Sequence, residues 1–80
     1  MREKKTALVI TFSATTDAMA MEKYCEGHGL PGRLIPVPRE ITAGCGLAWK
    51  AEPEEKEQLE AGLQEAGIRW QEMRTLEMWG

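Results

Sequence analysis

The chain has few of the residues and segments that usually mark metal sites, membrane spans or secreted scaffolds. Its 80 residues include two cysteines, one histidine and 6% aromatic residues. The longest apolar runs, Ala7 to Ile10 among them, are far too short to span a membrane. No long apolar segment follows the charged stretch MREKK, so we expect no signal peptide. With so few cysteines and no secretory signal, we expect a cytoplasmic protein with free thiols and no membrane partner.

The sequence also lacks a concentration of charge of one sign. Its net charge is -3, and acidic and basic residues are mixed along the chain. Because no strong basic field exists to hold a phosphate backbone, we expect no nucleic-acid partner. The 42% hydrophobic fraction is enough for one core and argues against disorder. At this length we expect a single domain over residues 1–80.

The apolar pattern and the turn residues predict six elements in the order β-α-β-β-α-β. The predicted strands are 6–12, 33–37, 46–51 and 68 to about 78, and the predicted helices are 14 to about 28 and 53–66. Ser13 is predicted to cap the first helix by accepting a hydrogen bond from a free backbone N–H. Pro36 and Pro38 cannot donate hydrogen bonds to a neighbouring strand, so the second strand belongs at a sheet edge.

With right-handed crossovers, this order predicts an α+β fold. We expect a ferredoxin-like βαββαβ two-layer sandwich with an antiparallel sheet of order 4-1-3-2 and both helices on one face. The large side chains of the first strand, Leu8, Ile10 and Phe12, would face the helices. The alternate residues of that strand would line the opposite face, which a second copy of the chain could partly cover in a homodimer.

Cys45 lies in the glycine-flanked turn PREITAGCG, between the second and third predicted strands. The expected topology brings this turn to the same sheet edge as Ser13 and the start of the first helix, where free N–H groups favour an anion. Arg39 lies in the same loop, and Gly44 and Gly46 leave the sulfur uncovered. The arrangement predicts a thiol with a depressed pKa that reacts as a thiolate.

A simpler interpretation exists for each cysteine. A cysteine in a glycine-flanked turn often serves only as a small residue. Cys25 lies on the apolar stripe of the first predicted helix, so we expect it to fill the core. Cys25 and Cys45 are expected toward opposite ends of this helix, roughly 15 Å apart, which is beyond the reach of a disulfide.

The sequence lacks the residues that characterise three known uses of this fold. A metal-chaperone domain would need a CxxC pair after the first strand, where the chain reads FSATTDA, so we expect no metal site and no cofactor. An acylphosphatase-like enzyme would need an arginine in that same segment. An RNA-binding form would carry aromatic pairs on the two central strands, where Trp49 and Phe12, which is expected to face the helices, are the only aromatic residues.

The longest distinctive segment is GLPGRLIPVPREITAGCGLAWK, residues 29–50. It closely resembles the signature of the Putative Se/S (selenium/sulfur) carrier protein-like family, which typically has the form GxPGRLIPVPREISSSCGLAL. TFSATTDAMAMEK, residues 11–23, is similar to the first strand and helix of that family.

The resemblance implies that Cys45 is a carrier thiol, which would hold sulfur or selenium as a persulfide or a selenosulfide. Arg39 and Thr42 fall on motif positions and would help to bind the anionic cargo. Ala43 and Gly44 stand where the family often has serines. Backbone N–H groups would therefore carry more of the cargo binding in this chain.

The resemblance also implies two kinds of partner, a cysteine desulfurase-like donor of sulfur or selenium and an acceptor protein. We expect a thiol-based carrier rather than a turnover enzyme, because no general base or metal set accompanies the thiol. The alternative is a small-anion-binding or regulatory domain, in which Arg39 and backbone amides recognise the anion and Cys45 is not essential. A third hypothesis is an interaction domain that uses Trp70 and Trp79 as an apolar contact patch.

Overall fold

A computed structural model describes the backbone of residues 4–38, 41 and 46–79, and the side chains of residues 5–38, 41 and 46–77. The elements are β1 (Lys4–Thr11), α1 (Thr15–His28), β2 (Arg33–Pro36), β3 (Leu47–Ala51), a short 3-10 turn (Pro53–Glu55), α2 (Lys56–Ala66) and β4 (Glu72–Trp79). Neither described helix is long and apolar enough to cross a membrane.

The four strands form one antiparallel sheet with the order β2-β3-β1-β4. Read from the β4 edge, this order is 4-1-3-2, so each strand has the neighbours that the sequence predicts. The fold is α+β and is compatible with a ferredoxin-like sandwich. β2 lies at an edge, which confirms the interpretation of the prolines on either side of its end.

The larger core lies between the sheet and the two helices. As predicted, Leu8, Ile10 and Phe12 pack here, and each is at most 1% exposed. Their helical partners are Ala18, Met21 and Cys25 of α1 and Leu59 and Leu63 of α2. Burying each of the largest of these side chains contributes about 1.5–3 kcal/mol, so this layer is the main source of stability.

A smaller apolar cluster covers the opposite side of the sheet, which we call the helix-free face. Val9, Ala48 and Ile41 form its buried centre. Ile35, Val37 and Leu76 pack around them. Val9 is fully buried although neither described helix lies above it. The chain therefore covers the centre of this face itself, with Ile41 from the β2–β3 loop. Partial cover of the rest of the face by a second subunit stays a prediction.

The start of α1 differs from the prediction. The helix begins at Thr15 and its N-cap is Ala14, which makes no side-chain hydrogen bond. The prediction that Ser13 caps the helix is therefore wrong. The intrinsic preference of serine for the N-cap acts only if the residue reaches that position, and the chain leaving β1 makes a bend of two residues before the helix starts.

The other boundaries shift for local reasons. β3 begins at Leu47 because Gly46 has φ +75, which is left-handed and not extended. Pro53 opens a 3-10 turn, not α2 itself, and Glu52 N–H donates to Oε1 of Glu55 at 2.7 Å within this turn. β4 begins at Glu72 and not at residue 68, because the chain after α2 first inserts Ile68 into the helix-side core.

Candidate functional site

The two ends of the β2–β3 loop are held together by the backbone. Pro36 pairs with Leu47, and beyond this pair Val37 N–H donates to the carbonyl oxygen of Gly46 at 3.0 Å. Gly46 is exposed, and a Cβ added to it would meet no atom within 4 Å. Glycine is thus favoured here by the positive φ and not by lack of space. Cys45 is the residue directly before Gly46 in the sequence.

Ile41 attaches the middle of the loop to the sheet. Its N–H donates to the carbonyl oxygen of Pro38 at 3.0 Å, which closes a turn. Its side chain is 5% exposed and packs on Val9 and Ala48 of the helix-free face. Residue 41 therefore has a defined position between the two strand ends, and four residues, 42–45, join it to Gly46.

The end of this loop and the start of α1 lie at the same end of the sheet, which we call the loop edge. Thr11 of β1 pairs with Ala48 of β3, the last pair between these strands. Ser13 follows Thr11 by two residues, and Gly46 precedes Ala48 by two residues. The expectation that these two segments share one edge is therefore met for Ser13 and Gly46.

The first turn of α1 presents free backbone donors at the loop edge. Asp17 N–H and Ala18 N–H both donate to the carbonyl oxygen of Ala14. The N–H groups of Thr15 and Thr16 have no acceptor among the residues that the structure describes. Such donors favour an anion, although the carboxylate of Asp17 in the same turn offsets part of the positive helix end.

Four of the predicted site residues lie outside the described part of the chain. They are Arg39, Thr42, Gly44 and Cys45. Their roles stay predictions, and the structure bears on them only through their described neighbours. Of the remaining site residues, Ser13 is exposed beside the start of α1 and Gly46 is exposed at the end of the loop.

Cys25 is a buried core residue, as predicted. It is 1% exposed and packs in the helix-side core. Burial raises the pKa of its thiol from 9.0 to about 11. Because the thiolate is the reactive form, the Cys25 thiol is a poor nucleophile at neutral pH.

The aromatic residues are used in packing wherever their side chains are described. Trp49 lies on the helix side of the sheet, and its indole Nε1–H donates to the carbonyl oxygen of Pro31 at 3.1 Å. Trp70 is half-buried against the same core. The side chain of Trp79 lies outside the described residues, so the proposed tryptophan contact patch is not tested as a pair.

Among the described residues, no group of three or more His, Cys, Asp or Glu side chains is arranged to hold a metal ion. The ring of His28 stacks on Tyr24, with ring centroids 4.0 Å apart.

One arrangement of charged residues was missed at the level of the sequence. Arg33 of β2 lies directly opposite Lys50 of β3 in the strand pairing. Seventeen positions separate them in the sequence, and only the register of β2 against β3 brings them together. A sequence prediction that paired Pro36 with Leu47 would also have paired Arg33 with Lys50, because each lies three residues further along its strand.

The fold and the loop edge define a small α+β protein in which the end of the β2–β3 loop, at Gly46, lies beside the start of α1. A family model described as Putative Se/S carrier protein-like matches residues 7–74. The chain therefore belongs to this family, as its resemblance at residues 11–23 and 29–50 predicted. No curated protein and no solved structure matches the chain.

Proposed function

We propose that the protein carries sulfur or selenium as a persulfide or selenosulfide on Cys45. The family membership supports a carrier, and the matched residues 7–74 include the whole β2–β3 loop. The observation that carries the assignment to Cys45 is the burial of Cys25. The chain has two cysteines, and the Cys25 thiol is enclosed in the core with its pKa raised to about 11. Chemistry that needs an accessible thiolate is thus left to Cys45.

The transfer step is an exchange at sulfur that needs no external oxidant or reductant. The Cys45 thiolate attacks the outer sulfur of a persulfide on the donor protein. A new S–S bond forms on Cys45, the donor's S–S bond breaks, and the donor cysteine leaves as a thiolate. A donor selenosulfide reacts in the same way at selenium. An acceptor nucleophile then takes the outer atom and releases the Cys45 thiolate.

The described residues at the loop edge support this role. Open space surrounds Gly46, the residue after Cys45 in the sequence, and Ser13 and the first turn of α1 lie at the same edge. Free N–H groups in that turn would favour a thiolate or a terminal persulfide anion. Arg39 and Thr42 would add donors to the anionic cargo, and Gly44 would leave the backbone open to a partner.

We also infer that the fold is ferredoxin-like. Three observations support this: the βαββαβ order, the antiparallel sheet in which β1 and β3 are central, and the packing of both helices on one side of the sheet.

The test is the intact mass of the protein after incubation with a cysteine desulfurase and cysteine, without reductant. We expect wild type and Cys25→Ser to gain the mass of one or more sulfur atoms, and Cys45→Ser to gain none. Cys25→Ser is the matched control, since it removes the other thiol. Loading of Cys45→Ser equal to that of wild type would show that the site is wrong.

The anion-binding alternative gives a different result with the same variant. A domain that recognises a small anion through Arg39 and backbone amides keeps its affinity for that anion after Cys45→Ser. Calorimetric titration of sulfite and of selenite into wild type and into Cys45→Ser measures the affinity of each protein for the anion and separates the two functions. Unchanged affinity together with no sulfur loading of wild type would favour the binding domain.

A further inference from the structure

Three cations lie in one row across the helix-free face, and we call them the basic row. The strand register places Arg33 opposite Lys50, Lys50 opposite Val9, and Val9 opposite Arg74. Residues paired in this way point to the same side of the sheet, and Val9 belongs to the apolar cluster of the helix-free face. Lys5 lies four residues before Val9 in β1, and this even spacing places it on the same face. Its side chain is exposed.

The basic row is only partly neutralised by the described part of the chain. Arg74 Nη1 lies 3.4 Å from Glu72 Oε1, an exposed pair that contributes little. Arg33 and Lys50 have no carboxylate within 4 Å among the described residues, and like charges directly opposite each other disfavour the folded state. Arg33 and Lys50 line a groove of about 420 Å³ together with Glu52 and Glu55.

Charge is segregated between the two faces of the molecule. The helical layer, from residue 15 to residue 28 and from residue 53 to residue 66, carries two cations, Lys23 and Lys56. Its acidic residues are Asp17, Glu22, Glu26, Glu54, Glu55, Glu57, Glu60 and Glu65. A net charge of -3 therefore conceals an acidic layer and a basic face.

The basic row lies on the same face as Ile41 of the β2–β3 loop. Ile41, the described residue in the middle of the loop, lies on the helix-free face in contact with Val9 and Ala48. Arg33 and Lys50 are three residue pairs from the pair that closes the loop, Pro36 and Leu47, which is about 10 Å along the strands. A protein surface that covers the basic row would therefore also lie beside the loop.

We propose that the helix-free face is the docking surface for the donor protein and binds an acidic patch around the donor's reactive cysteine. This inference rests on the carrier function proposed above. Charge complementarity with Arg33, Lys50 and Arg74 would steer the encounter and set its orientation. Docking on this face brings the donor cysteine to the β2–β3 loop. Most of the acidic helical layer is then turned away, and Glu55 remains beside Arg33 and Lys50.

A second copy of the chain does not fit this surface. Two helix-free faces in contact would bring the two basic rows together, which is repulsive. The helical layer of one copy on the helix-free face of another would be a head-to-tail contact, which does not close unless its rotation forms a ring. The occupant is therefore a different protein with an acidic surface.

The first experiment compares two donors on matched variants. Arg33→Gln/Lys50→Gln removes two cations from the basic row, and Lys23→Gln/Lys56→Gln removes two from the helical layer. With persulfidated cysteine desulfurase as donor at low salt, we expect the first variant to load on the order of tenfold more slowly than wild type. We expect the second variant to load at least as fast as wild type.

Glutathione persulfide is the second donor, because it needs no protein docking. We expect wild type and both variants to be loaded by it at equal rates. Suppose that glutathione persulfide loads wild type, and that the desulfurase loads the two double variants at equal rates. The docking surface is then wrong and the carrier function stands. If neither donor loads wild type, the carrier function fails, and this docking proposal for a donor fails with it.

The second experiment maps the surface without any transfer. A hexaglutamate peptide is titrated into the 15N-labelled full chain, and amide shifts are recorded at low and high salt. We expect shifts at residues 9, 33, 50 and 74 that disappear at high salt. Shifts confined to other surfaces would overturn the assignment of the acidic patch to this face, even where glutathione persulfide loads Cys45. Folding of each variant is checked by its thermal midpoint.

Discussion

Cys25 shows how burial alone separates two chemically identical side chains. It is enclosed by the helix-side core, and its thiol keeps its proton well above neutral pH. The same residue type on an exposed loop would have its ordinary reactivity or more. The helical spacing of Cys25 with Ala18 and Met21 was enough to predict this from the sequence, because a residue on an apolar stripe is almost always turned inward.

The raised pKa of Cys25 predicts a loss of stability in alkali. Its pKa is about 11 in the folded protein against an ordinary 9.0, so the unfolded chain releases the proton first as pH rises. The contribution of the Cys25 thiol to the free energy of unfolding is complete below pH 9. It falls as the pH rises from 9 to 11, by at most about 3 kcal/mol. The test compares Cys45→Ser with Cys25→Ala/Cys45→Ser by urea unfolding. The difference between their free energies of unfolding is expected to shrink as the pH rises through this range. A constant difference would contradict the prediction.

Gly32 is a position where the structure requires glycine. Its φ is +109, and an added Cβ would overlap Nε1 of Trp49 and lie 2.7 Å from the carbonyl oxygen of Lys50. Gly32→Ala is expected to lower the free energy of unfolding by about 2–4 kcal/mol, from backbone strain and displacement of the Trp49 indole.

Gly27 provides the control for this substitution. It lies in α1, and an added Cβ would meet no atom within 4 Å. Gly27→Ala is expected to stabilise the protein by up to about 1 kcal/mol, because alanine is the better helix former. Thermal or urea unfolding of both variants checks the pair, and equal effects would show that the close approach at Gly32 is not important.

At the scale of elements, the β2–β3 loop depends on a contact that lies far away in the sequence. Ile41 packs on Val9 and Ala48, and this contact fixes residue 41 of the loop on the helix-free face. Ile41→Ala is expected to lower the free energy of unfolding by about 2–4 kcal/mol, and Ile41→Val by about 1 kcal/mol. Urea unfolding measures both values.

Hydrogen exchange tests whether Ile41 also holds the loop closed. The Val37 amide, which donates to Gly46, is expected to exchange faster in Ile41→Val than in wild type, while amides in the centre of β1 change only with global stability. Met19→Ala is the control, since Met19 is 58% exposed on α1. If Val37 exchange is unaffected in Ile41→Val, the contact does not restrain the loop.

Most elements could be predicted from the sequence because their signals are local. Pro36 and Pro38 marked β2 as an edge strand, and Gly67 ended α2 with a left-handed cap. The start of α1 was missed because the preference of Ser13 for an N-cap was overridden by the path of the chain out of β1. The lesson is that residue preferences predict where an element lies more reliably than where it begins.

The candidate site was predictable in a similar, partial way. Topology was enough to bring Gly46 and Ser13 to one edge, since β1 and β3 are antiparallel neighbours. The position of Ile41 and the pairing of Arg33 with Lys50 both depend on long-range register, which no local pattern encodes. The second copy expected over part of the helix-free face stays a prediction, because the structure describes a single chain.

At the scale of the whole molecule, the separation of charge predicts how the protein behaves in dilute salt. A molecule of uniform net charge -3 would show more repulsion between copies as salt is lowered. The acidic helical layer and the basic row instead predict a weak attraction that salt screens. Light scattering should therefore show a lower second virial coefficient at about 10 mM salt than at about 500 mM, where screening is nearly complete.

Neutralising the basic row should reverse this trend. Arg33→Gln/Lys50→Gln leaves the acidic layer without its counterpart and makes the net charge more negative, so copies should repel at low salt. Lys23→Gln/Lys56→Gln should keep the attraction. A wild-type protein that repels itself most strongly at low salt would show that the segregation of charge is too weak to matter.

The construction of the sheet edges has a further consequence, for aggregation. β2 is four residues long and ends at a proline, so it offers a neighbouring chain few backbone donors for pairing. The opposite edge strand, β4, carries Glu72, Arg74 and Glu77 along its length. Because both edges are blunted in these ways, adding a strand from another molecule is disfavoured on either side of the sheet. We therefore expect the sheet edges of this protein to resist the strand pairing that begins fibrils.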